Sequence, residues 1–124
     1  METIYLKHSV TDIQKKLVIN NGNYKSYSIT INASNSLNID SHIIMEVSSV
    51  KINGILSTQR TGYIDFKDKG AIFFLNKSIH VILQPGDKLK FEIISGTGEF
   101  LGKNGTITVK VNQEGERKVK IQFL

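Results

Sequence analysis

Between Gly86 and Leu124 the chain alternates apolar and polar residues in three successive runs, and this periodicity restricts its fold more than any other feature. Leu89, Phe91 and Ile93 share one face with Lys88, Lys90 and Glu92 on the other. Ile107, Val109 and Val111 alternate in the same way with Thr106, Thr108 and Lys110, and Val119, Ile121 and Phe123 alternate with Lys118, Lys120 and Gln122. A period of two is the signature of strands with one dry and one wet face, as in an antiparallel sheet laid on a single core. Turn signals recur through the rest of the chain. Asn20-Asn21-Gly22-Asn23, Asn53-Gly54, Lys67-Asp68-Lys69-Gly70, Pro85-Gly86-Asp87, Lys103-Asn104-Gly105 and Glu114-Gly115 separate apolar runs at the spacing of an all-β domain. The expectation is one domain, residues 1–124, all-β: a single antiparallel β-sandwich, jelly-roll-like or immunoglobulin-like, of about nine or ten strands.

A chain of 124 residues is long enough to bury a core without disulfide or metal. The absence of cysteine excludes thiol catalysis, zinc knuckles and iron–sulfur ligation. The first ten residues alternate and include Glu2, unlike a secretory leader, and the longest apolar run, Ala71 to Leu75, is too short for a membrane span. The net charge of +5 comes from lysines spread along the chain, dense only at Lys15-Lys16 and at Arg117, Lys118 and Lys120. A nucleic-acid groove calls for a one-sided stripe, so these lysines read as the solvated face of strands and nucleic acid is not an expected partner.

Two segments depart from the strand pattern. Ser9 to Lys16 could open with a helical turn capped by Ser9 or Thr11, and Ala33 to Ser41 reads as a long polar loop with Leu37 and Ile39 isolated in it. Leu124 ends an apolar strand, which predicts a terminus tucked into the sheet or against a partner.

No catalytic or cofactor signature emerges. His8, His42 and His80 lie far apart and read as incidental sheet histidines, and no Gly-x-Ser-x-Gly elbow is present. Glu92 and Glu99 flank a glycine loop without forming a carboxylate pair across a cleft, and the chain has no tryptophan to platform a sugar. Gly96-Thr97-Gly98-Glu99-Phe100-Leu101-Gly102 misses dinucleotide-loop spacing and precedes a strand, so it reads as a bend that passes the chain across a sandwich. Asp65 to Gly70 lacks the ligand order of a calcium loop and reads as a hairpin turn. Sequons at Asn32, Asn76 and Asn104 matter only in a secretory pathway. Catalytic, metal and cofactor residues are therefore expected to be none, and the candidate binding residues are the aromatics Tyr24, Tyr27 and Tyr63.

Two stretches resemble known families. Ile79 to Phe91, a strand ending in Leu83-Gln84-Pro85-Gly86-Asp87 and followed by another strand, is similar to the late hairpin of jelly-roll domains in trimeric complement-type heads and in receptor-binding and baseplate proteins of tailed phages. Leu89 to Val119 resembles immunoglobulin-like domains of invasin and intimin adhesins. The first resemblance implies a non-enzymatic tail, baseplate or decoration component of a phage virion. Such a component would be made in the host cytoplasm, would be a homo-oligomer and would have other virion proteins as partners. The second implies a bacterial surface module that binds surface proteins or carbohydrate.

Overall fold

A computed structural model describes residues 3–79 and 85–124, with the side chains of all of these except 77–79. Nine strands form among them: β1 (Thr3–His8), β2 (Ile13–Asn20), β3 (Tyr24–Asn35), β4 (Ser41–Ile52), β5 (Ile55–Phe66), β6 (Gly70–Ile79), β7 (Lys88–Gly96), β8 (Gly105–Val111) and β9 (Arg117–Phe123). The alternation read from the last third is realised. Leu89, Phe91 and Ile93 point into the core, as do Ile107, Val119, Ile121 and Phe123, while the lysines between them face solvent.

The sandwich expectation is overturned. From β2 to β9 each strand pairs antiparallel with the next in sequence, and β1 then bridges the two ends. It pairs with β9 from Thr3↔Gln122 to His8↔Arg117, and with β3 through Leu6↔Asn35 and Lys7↔Ser34. Eight strands, β1 and β3 to β9, therefore close into a barrel around one core. A period of two reports that a strand has a buried face and does not report whether that face looks at a second sheet or across a closed one.

Two local features permit closure. At Gly62, in mid β5, a Cβ would run into the backbone carbonyl of Ile44 on β4, so only glycine allows the strands this close. At the N-terminus, the chain breaks after His8 with a 3₁₀ turn, Val10–Asp12. The Ser9 amide donates to the Asp12 carboxylate (2.8 Å) and the Asp12 amide to the Ser9 carbonyl (3.1 Å). After this turn β2 runs along the remaining edge of β3, from Ile13↔Ile31 to Asn20↔Lys25, with a bulge between Leu17 and Ile19. The expected helical turn is thus present with Ser9 as its cap, but the chain is already a strand from Ile13. β2 extends the sheet beyond the closed wall.

One end of the barrel is a packed floor. The β7–β8 connection carries a 3₁₀ turn, Gly98–Phe100, and Phe100 is pressed inward between Phe66 (centroids 5.3 Å apart) and Phe123 (5.8 Å). It does not pass the chain across a sandwich, because β7 and β8 are neighbours. The connection is tied to the β5–β6 turn: the Glu99 amide donates to the Lys69 carbonyl (2.8 Å), the Thr97 amide to the Ala71 carbonyl (2.9 Å), and Lys69 pairs with Glu99 (3.3 Å). The β3–β4 loop is shorter than expected, residues 36–40, and Leu37 and Ile39 pack against the core instead of standing isolated. Leu124 is exposed at this end, with only its backbone amide held by the Asn104 carbonyl (2.9 Å). No helix among the described residues is long and apolar enough to cross a membrane.

Candidate functional site

Away from the floor, the interior side chains do not fill the barrel. A cavity of about 190 Å³ lies beside the break between β1 and β2. An eight-stranded barrel has an interior either just filled by side chains or able to hold one small molecule, and here the two conditions divide the length of the barrel. The depth of the cavity is dry: Ile64, Phe74, Ile107 and Val119 are buried. Toward the opening, Ile13, Ile29, Met45 and Val109 are half-buried. The gradient follows from β2, which pairs with β3 on one side and leaves the opposite wall beyond His8 uncovered.

Three side chains with polar heads interrupt this apolar lining: His8, Arg60 and Arg117. His8 is the last residue of β1 and is only 6 % exposed, yet its Nδ1 has no hydrogen-bond partner. Burial holds the imidazole below its ordinary pKa and outweighs the nearby Ser9 backbone, which favours the charged ring. Arg117 directly opposite lowers it further, and Asp12 pulls the other way. The ring is therefore neutral at pH 7. Arg117 is tethered to the rim by donation from Nη1 to the Gly115 carbonyl (2.8 Å). Arg60, on β5 across the barrel, donates from Nη1 to Oδ1 of buried Asn76 (3.2 Å), and Asn76 passes its own amide hydrogen to the Lys90 carbonyl (2.7 Å). Burial lowers the Arg60 pKa from its usual value without neutralising the group. Among the described residues none that lines the cavity is acidic. Among the described residues no cluster of three or more His, Asp or Glu is gathered as a metal site would require.

The three tyrosines chosen from sequence are not brought together and do not line this cavity. Tyr24 and Tyr27 project to opposite faces of β3: the Tyr24 hydroxyl donates to Ser48 Oγ (3.4 Å), and Tyr27 lies beneath Lys15 Nζ, 4.2 Å from its ring centroid. Tyr63 is on β5 beside Phe73 (centroids 5.5 Å apart). His42 is exposed on β4 and bonded through Nδ1 to Asn32 Oδ1 (2.7 Å), whereas His80 lies outside the described residues, as does part of the Ile79 to Phe91 hairpin.

Sequence reasoning treated His8 as incidental. A signal was available: His8 follows Ile4 and Leu6 at a spacing of two and so belongs to the inward face. The register of the sheet reveals a second feature hidden in the sequence. Lys7, Lys118, Lys110 and Lys88 lie directly opposite one another across β1, β9, β8 and β7, so lysines scattered along the chain form one row on the outer wall. Lys7 reaches Glu116 (3.5 Å) at the end of that row.

No protein-family model, curated protein or solved structure matches the chain.

Proposed function

We propose that this protein is a non-enzymatic binding module whose barrel receives the apolar part of a small molecule through the mouth beside β2. The observation that carries this reading is the cavity itself: about 190 Å³, walled by buried aliphatic and aromatic side chains and graded from dry depth to half-exposed rim. A dry apolar void of about 150 Å³ suffices for a benzene-sized guest. Convergent apolar walls with a few placed polar groups are the usual make-up of a ligand site. The chemistry present is recognition: an apolar wall interrupted by Arg60, Arg117 and a neutral imidazole.

Titration of isotope-labelled protein with benzyl alcohol and with hexanol tests the reading by NMR. Saturable shifts confined to residues such as Ile29, Met45, Phe74 and Ile107 are expected, and Ile29→Trp, which narrows the opening, should suppress them. Shifts scattered over the outer wall, or none at millimolar ligand, would overturn it.

A second reading, a structural subunit of a virion or surface assembly, is favoured by a different observation. Leu17, Val18 and Ile19 on β2 and Ile52, Ile55 and Leu56 at the β4–β5 tip are exposed apolar residues at the same end of the sheet. Light scattering decides this one: a defined oligomer that Ile52→Asp with Ile55→Asp dissociates supports it, and a monomer at high concentration counts against it.

A further inference from the structure

We propose that the guest of the barrel is a small apolar carboxylic acid, its ring or short chain among the side chains of β3 to β8 and its carboxylate against His8 and Arg117. This rests on the cavity being a ligand site and names the class of ligand.

The first support is the orphaned atom. Buried side-chain polar atoms are nearly always hydrogen-bonded, and an unsatisfied one carries a desolvation cost that nothing in the protein offsets. His8 Nδ1 is the only such atom among the described residues. It belongs to a side chain that lines the cavity and is 94 % buried, so a ligand head placed there completes a bond that the fold leaves open.

The second support is the sign of the surroundings. Arg117 faces His8 across the β1–β9 pair, Arg60 lines the opposite wall, and among the described residues no acidic one lines the cavity. The nearby carboxylates are placed elsewhere. Asp12 is engaged with Ser9 in the 3₁₀ turn, and Glu116 pairs with Lys7 on the outer face. A head group bearing one negative charge meets a favourable field here, whereas an ammonium head does not.

Size and wall chemistry favour a small anion with a hydrocarbon body. A volume of about 190 Å³ admits one ring or about six carbons, and walls that are mostly aliphatic and aromatic suit a phosphate or sulfate poorly, since each carries more oxygens needing donors. A carboxylate at the rim uses the imidazole and the guanidinium and leaves its hydrocarbon in the dry depth.

Proton linkage provides the discriminating readout. In the free protein burial and Arg117 keep His8 neutral; a carboxylate at Nδ1 favours the protonated ring, so binding takes up a proton. Affinity for an acid therefore strengthens as pH falls from 8 to 6, while the ligand remains ionised.

Calorimetric or NMR titration with benzoate against benzyl alcohol, and hexanoate against hexanol, at pH 6 and pH 8 tests this. Each acid should bind about tenfold tighter than its alcohol at pH 6. The margin should shrink at pH 8, and the alcohols should bind equally at both. His8→Phe should abolish the pH dependence for acids; His8→Gln, which keeps a hydrogen-bonding head without titrating, makes the same test if the first variant folds poorly. Arg117→Leu should reduce the acid margin at both pH values. Acids binding no better than alcohols, or a pH dependence that survives in both His8 variants, would sink the proposal and leave the cavity reading intact. Failure of acids and alcohols alike would remove both.

Discussion

At the floor of the barrel Phe100 is 3 % exposed and its ring meets Phe66 and Phe123; toward the mouth His8 is nearly as buried and its ring nitrogen meets no partner. Both side chains are buried, so burial alone does not separate them. At the floor, loop and turn backbones are stitched together and an aromatic side chain fills the remaining space. At the mouth, β2 follows only β3, the wall stays open, and a polar group is withdrawn from water without compensation. One end is packed and stitched, and the other carries a buried polar atom without a partner.

The sharpest way to break this comparison is to hollow the floor. Phe100→Ala should destabilise the fold by about 3–5 kcal/mol, read from chemical denaturation, because a large ring is lost where neighbours held on three sides cannot collapse. His8→Phe should do the reverse and raise stability by about 1–2 kcal/mol, since it replaces an unsatisfied buried polar group by an apolar ring. The pH profile sharpens the point. The folded-state pKa of His8 lies below its unfolded value of about 6.5, so its contribution is fully present above that pH and is lost as pH falls through the folded value. Stability of the wild type should therefore decline below about pH 6.5, with a shallower decline in His8→Phe. Asp12, whose pKa is also depressed by its bonds to Ser9, contributes its loss only at lower pH, below the ordinary carboxylate range.

Truncation at the rim should be mild. Ile29→Ala should cost about 1 kcal/mol, because the side chain is half-buried beside space that already exists. The smallest effect concerns the outer wall. Lysines directly opposite one another in antiparallel pairs repel, so Lys110→Glu should gain about 0.5 kcal/mol at low salt, and less as salt is raised.

Strand identity was legible in the sequence because a period of two is a local property. The turns at Asn53-Gly54 and at Lys67 to Gly70 were legible for the same reason: Asn53 and Asp68 carry positive φ, a conformation that Asn, Asp and Gly accept at low cost. Closure was not legible. It depends on Leu6 meeting Asn35, two residues separated by β2 and nearly all of β3, and on the close approach at Gly62, which looks like any other glycine in the sequence. The cavity was hidden for a related reason. A void is defined by the atoms of nine strands that do not meet, and no single residue announces it. His8 alone could have been singled out, as a titratable residue continuing an apolar stripe.

The row formed by Lys7, Lys118, Lys110 and Lys88 has a consequence for how molecules of this protein meet in solution. Two copies approaching through that wall would bring like charges together within a Debye length, about 10 Å at 0.1 M salt, before any van der Waals contact formed. Encounters are thus sorted by orientation in advance of touching. The same repulsion fades as salt shortens the Debye length, so this wall is guarded most strongly in dilute electrolyte.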